Sequence, residues 1–200
     1  MISLRSLVRN PSPHLLIIDL EATCCDRGKV PRDEMEIIEI GAVLLDGKTL
    51  ETVSEFGTFI KPVRHPVLTP FCTKLTTITQ AEVDAAPMFP EALAKLKAWL
   101  EPYPDCMFSS WGAYDKGQFQ LDCAFHDLPY PFSEAHLNLK KAFAEARGLK
   151  KRPGMGQALG MLRLELEGTH HRGIDDARNM ARIVARCAGD IRLEDARQKT

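Results

Sequence analysis

The stretch LLIIDLEATCC, residues 15–25, constrains this chain more than any other. Four aliphatic residues in a row, Leu15 to Ile18, require burial and read as a core strand. The run then meets two acids, Asp19 and Glu21, separated by one residue. Side chains alternate along a strand, so both carboxylates emerge on the same side. Held a few ångströms apart, they raise each other's pKa unless a cation sits between them. A hard dication such as Mg2+ or Mn2+ prefers carboxylate oxygen and water to sulfur, so the pair predicts a divalent-metal claw at the end of a buried strand. Two acids meeting solvent at a strand end would look the same, and the assignment needs partners elsewhere in the chain.

The following segments supply a sheet. MEIIEIGAVLLD (35–46) and ETVSEFGTFIKP (51–62) read as strands, with GKT between them as a turn of hairpin length, so three antiparallel strands open the fold. From Thr69 the texture becomes helical, with Leu93, Leu96, Trp99 and Leu100 at helical spacing. CMFSSWG (106–112) reads as a fourth strand, and YDKGQFQLDCAFHDL (114–128) as a helix packing back through Phe119, Cys123 and Leu128. HLNL (136–139) gives a weak fifth strand. The last helix is GIDDARNMARIVARCAG, whose Ala177, Met180, Ala181, Val184 and Ala188 form one stripe, with Gly189 as its stop. The expectation is α/β: a mixed five-stranded sheet, three antiparallel strands and then two parallel ones, flanked by helices in the ribonuclease H-like plan. With no repeat or linker, one domain is expected over 14–189, between an N-terminal extension (1–13) and a C-terminal tail (190–200).

Composition narrows the class. The hydrophobic share of 44% and charged share of 26% are ordinary for a globular chain. No apolar run reaches the roughly 18 residues of a membrane span, and the first residues lack the apolar core of a secretory signal, so a cytoplasmic location is expected. The six cysteines show no C-x-x-C pair and read as reduced thiols, with no role assigned to Cys24 and Cys25. A net charge of −1 argues against binding long duplexes by charge alone. It leaves room for a local basic surface in KKAFAEARGLKKR (140–152).

Further acids complete the pattern: Asp115 in SSWGAYDKGQF and the pair Asp175–Asp176 in HHRGIDDARN, both at expected helix starts. Each alone suits a helix cap. Together with IIDLEAT, they resemble the three motifs of the DEDDh 3′→5′ exonucleases. FCTKLTTITQAEVDAAPMFPEAL and HLNLKKAFAEARGL further resemble the branch that trims the 3′ ends of histone mRNA and small RNAs, over roughly residues 14–188.

The resemblance implies that Asp19, Glu21, Asp115 and Asp176 are metal ligands, with Glu21 also counted as catalytic and His171 as general base. His170/Asp175 has the same spacing as His171/Asp176. The family pattern, in which the second acid of the pair is the ligand, selects His171 and Asp176 and leaves His170 and Asp175 as loop and cap residues. Ala22 matches a position touching the terminal nucleotide through its backbone, while Leu75 and Trp111 are candidates to wedge against or stack on terminal bases. The implied reaction is hydrolysis from the 3′ end of RNA, single-stranded or with a short overhang, aided by two divalent cations, Mg2+ or Mn2+, and releasing nucleoside 5′-monophosphates. Lys140, Lys141, Lys150, Lys151 and Arg152 are expected to guide the chain. A DNA-directed exonuclease shares the same motifs. A haloacid-dehalogenase-like phosphatase would need a second Asp where Glu21 stands, and a non-catalytic nucleic-acid-binding module would not need all five residues.

Overall fold

The computed structural model describes residues 13–26 and 28–197, with 189–197 as backbone only; the expected N-terminal extension therefore falls almost wholly outside the described residues. Five strands form one sheet in the order β3-β2-β1-β4-β5, with β1 His14–Ala22, β2 Ile37–Asp46, β3 Thr52–Phe59, β4 Cys106–Ser110 and β5 Leu137–Asn138. Pairing is antiparallel for β1–β2 and β2–β3 and parallel for β1–β4 and β4–β5, as the sequence leads one to expect. The helices are α1 Pro70–Thr76, α2 Gln80–Asp84, α3 Phe89–Leu100, α4 Tyr114–Phe125, α5 Leu139–Ala146, α6 Met155–Leu162 and α7 Gly173–Arg197.

The aliphatic run of β1 is buried because helices cover both faces of the sheet. Leu15 and Ile17 pack with Phe143, Leu159, Met180 and Val184 of α5, α6 and α7. Leu16, Ile18 and Leu20 pack with Phe89, Leu93, Leu96 and Phe119 of α3 and α4. Full burial of side chains of this size contributes about 1.5–3 kcal/mol each. It also fixes the register, because a slip of one residue would turn every side chain to the opposite face. The odd-numbered residues of β1 face α7, so Asp19 and Glu21 are committed to that side.

The lengths of the strands decide where the sheet opens. β4 pairs with β1 only over His14–Ile17, while β2 pairs with it over the whole strand, with Asp19 opposite Gly41 and Glu21 opposite Glu39. β1 thus outruns its parallel neighbour by the length of the acidic claw. The carboxyl ends of strands beyond a crossover are where open α/β sheets leave a crevice.

Three local expectations change. α7 runs through Gly189 to Arg197, so Gly189 is no stop and the expected tail continues the helix as far as 197. A glycine inside a helix costs only about 1 kcal/mol. The buried stripe before it, including Val184, Cys187 and Ala188, holds the helix down. α4 ends at Phe125 rather than Leu128: Asp127 adopts a left-handed conformation (φ 53°) and the Leu128 N–H closes on the Cys123 carbonyl at 2.8 Å. β5 keeps two residues because Asn138 caps the next helix, accepting the Lys141 N–H at 2.9 Å.

Candidate active site

At the end of β1 the carboxylates of Asp19, Glu21 and Asp176 approach so closely that one oxygen of each lies within 4.8 Å of the others. Asp115 closes the group from the opposite face of the sheet. It sits in the first turn of α4, and its Oδ1 accepts the Leu20 N–H at 3.2 Å. That N–H lies beyond the last β1–β4 pair, so the helix start takes over where the shorter strand stops. The four acids line a cleft of about 340 Å³ with Ala22, Leu75, Trp111, His170 and His171. Every site residue expected from the sequence therefore borders one cavity.

No Lys or Arg lines this cleft among the described residues. At ~4.8 Å and an effective dielectric near 20, each pair of ionised acids repels by about 3–4 kcal/mol. Burial first and the neighbouring acids second push Asp19 well above the ordinary carboxylate range and Glu21 up to about 8. Burial raises Asp115 to about 6. An oxygen-rich, cation-free cluster of this kind suits hard divalent ions, which would remove the repulsion that otherwise keeps protons on it.

Glu39 is a buried acid that the sequence does not single out. It sits on β2 directly opposite Glu21 of β1, an unfavourable placement for two like charges. Its Oε2 accepts the Gly173 N–H at 2.9 Å and the Arg172 Nε–H at 3.2 Å. Those bonds commit it to holding the start of α7, the helix that carries Asp176.

The turn entering α7 is tied by the two adjacent acids. Asp175 Oδ2 accepts the Thr169 N–H at 2.9 Å and Asp176 Oδ2 accepts the His171 N–H at 3.0 Å. Asp175 also pairs with Arg178 at 3.3 Å. His171 is held at φ 64°, a conformation uncommon outside glycine, which the Asp176 bond stabilises. Burial and the neighbouring His170 lower its pKa, favouring a neutral ring able to accept a proton.

His170 lies in the turn before α7, as expected of a loop residue, and also reaches the site. Its Nδ1 lies 2.9 Å from Asp176 Oδ2, its ring stacks on His171 at 4.0 Å, and it borders the cleft. Sequence spacing could not reveal this, because the left-handed turn at His171 brings neighbouring rings together.

The Exonuclease family profile matches residues 16–184, spanning β1 to α7 and every one of these side chains. The chain belongs to the exonuclease family. ERI1 exoribonuclease 3 of Homo sapiens is 36% identical over 179 residues, covering 86% of this chain and 52% of the relative. 3'-5' exoribonuclease 1 of Homo sapiens is 34% identical over 189 residues, covering 88% and 53%. The chain thus spans about half the length of the curated relatives it matches. Among solved structures, the nuclease domain of 3'hExo, a DEDDh family member bound to rAMP, superposes with a TM-score of 0.84 at 32% identity, over 90% of this chain and 94% of that one. The fold is ribonuclease H-like, and membership of this family removes the phosphatase alternative. DEDDh exonucleases use divalent metal ions, in keeping with the donor set described above.

Proposed function

We propose that the chain is a 3′→5′ exoribonuclease that removes nucleotides from RNA with a free 3′ end and releases nucleoside 5′-monophosphates. The observation that carries this reading is the convergence of Asp19, Glu21, Asp115, Asp176 and His171 on one open cleft in a chain of this family. The relatives named above, exoribonucleases matched over most of this chain, support RNA as the polymer. Asp19, Glu21, Asp115 and Asp176 would hold two divalent cations, Mg2+ or Mn2+. Bound there, the cations supply charge neutralisation for the phosphoryl group and the leaving 3′ oxygen.

The chain's own residues divide the remaining work. His171 takes the proton of the attacking water. The Asp176 carboxylate holds the His171 main chain through its backbone N–H, and the turn's conformation places the ring at the cleft. Trp111 is half-buried, with its Nε1–H donated to the Pro153 carbonyl at 3.2 Å, so the ring is fixed as a platform for the terminal base. Leu75, 36% exposed at the other lip, is the apolar counterface. Ala22 is buried at the bulge that ends β1, and its carbonyl also takes the Cys72 thiol at 3.6 Å. Cytoplasmic localisation goes with this reading, supported by six cysteines whose spacing suggests no disulfide framework.

Matched RNA and DNA oligonucleotides, each with a free or a blocked 3′ end, test the assignment. Stepwise release of 5′-mononucleotides from free-ended RNA, at least tenfold faster than from DNA, is the expected result. Faster digestion of DNA would establish the DNA-directed alternative, and cleavage of the blocked strands would indicate an endonuclease. Within the site, His171→Ala should lower kcat by about 10²–10⁴-fold, the usual contribution of a positioned base. His170→Ala should lower it by less than tenfold. The reverse order would move the base by one residue.

A further inference from the structure

The basic run 140–152 divides in two when the chain folds. Its first part is α5, where Lys141 pairs with Glu145 at 3.8 Å. Its second part, Lys150–Lys151–Arg152, is an exposed bridge fixed at both ends. Before it, the Leu149 N–H closes the α5 terminus on the Ala144 carbonyl at 2.8 Å, and the Leu149 side chain packs against the core. After it, Pro153 is buried and its carbonyl accepts the Trp111 indole N–H. Trp111 and Met155 both line the catalytic cleft, so the bridge joins directly onto the cleft wall.

These three cations differ from several other basic residues of the fold. Lys95, Lys116, Arg172, Arg178 and Arg182 each meet a carboxylate. Lys150, Lys151 and Arg152 meet none among the described residues. Three adjacent cations without counter-charges repel one another, which an anionic ligand would relieve. The cleft beside them carries four acids and, among the described residues, no Lys or Arg, so side-chain attraction for the strand upstream of the reacting linkage comes from the rim.

We propose that Lys150, Lys151 and Arg152 bind backbone phosphates of the single strand upstream of its 3′-terminal nucleotide. This rests on the exonuclease reading and deepens it: the acids and His171 act on the last linkage, while the bridge holds the preceding chain by charge, without regard to base sequence. Such contacts strengthen binding of a polymer and contribute nothing to a substrate that lacks one.

The test compares two substrates. One is a 12-nucleotide single-stranded RNA. The other is the 4-nitrophenyl ester of a nucleoside 5′-monophosphate, in which nitrophenolate replaces the whole upstream chain. For K150Q/K151Q/R152Q, KM for the RNA should rise about tenfold at low salt. The slope of log kcat/KM against log salt should become shallower by about 2, at about 0.7 for each phosphate contact on a single strand. kcat and KM for the ester should stay as in the unmodified protein. K150R/K151R/R152K, which keeps the charges, should retain the original KM and salt slope. Unchanged RNA kinetics in the neutral variant, or equal losses on RNA and ester, would overturn the proposal. An unmodified protein that digests no free-ended strand would instead overturn the exonuclease reading on which it rests.

Discussion

Replacing Asp19 by Asn should lower 3′-nucleotide release by at least about 10³-fold and, without metal, raise the melting temperature at pH 8. The first effect is the loss of a carboxylate at the centre of the claw, and a 10³-fold loss corresponds to about 4 kcal/mol of transition-state stabilisation. The second follows from the repulsion among Asp19, Glu21, Asp115 and Asp176. Burial and these neighbours raise the pKa of Asp19, and raise Glu21 from 4.5 to about 8. From the ordinary carboxylate range up to about pH 8, the unfolded chain has released protons that the folded chain retains. Stability therefore falls as pH rises through this window, and it is unaffected by these groups below pH ~4. Asp19→Asn removes one charge from the cluster and should flatten that slope. Added Mg2+ should reverse the order. At a hundred times its dissociation constant an ion stabilises the fold by about 2.7 kcal/mol. For a chain of this size that is a rise of roughly 5–10 °C, seen in the unmodified protein and largely lost in the variant. Thermal melts at pH 5.5 and pH 8, with and without Mg2+, measure all three effects. A variant melting below the unmodified protein at pH 8 without metal would contradict the electrostatic account.

What could be read from the sequence follows from how local each feature is. Asp19 and Glu21 share a face because strand periodicity is fixed, and four aliphatic residues before them set the strand. Asp115 and Asp176 could be placed at helix starts because the apolar stripes of α4 and α7 announce those helices. Their meeting depends on β1 outrunning β4, and strand length is set by tertiary pairing that short-range pattern does not contain. His170 and Glu39 stayed hidden for the same reason. The first takes its role from a left-handed turn at His171, and the second from hydrogen bonds to a helix start 134 residues away. Gly189 resembles a helix end because it follows an apolar stripe, whereas continuation past it is decided by packing.

The close approach of β2 and α7 leads to the second large effect: Gly41→Ala should destabilise the protein by about 4 kcal/mol or more, a loss reserved for severe steric or charge defects. A Cβ on Gly41 would lie 2.0 Å from the Gly173 carbonyl carbon and 2.1 Å from the Ile174 nitrogen. These are backbone atoms at the start of a long helix, and no side-chain rotation can relieve the overlap. Gly41 faces Asp19 across the β1–β2 ladder, and Asp176 lies three residues beyond Gly173, so the contact sets the distance between two of the acids. Moving α7 outward to admit a methyl group would also strain the Gly173 N–H bond to Glu39. A displacement of about 1 Å at a catalytic group can cost 10²-fold in rate, so any folded Gly41→Ala protein should lose activity by at least that factor. Gly57→Ala is the control. Its Cβ would meet Ile174 side-chain atoms at 3.8 and 3.9 Å, ordinary van der Waals contact, and stability and kcat should change little. Denaturant melts and single-turnover rates of the two variants separate the cases. Equal behaviour of Gly41→Ala and Gly57→Ala would mean that the α7 start is free to move and that Asp176 is positioned by something other than its contact with β2.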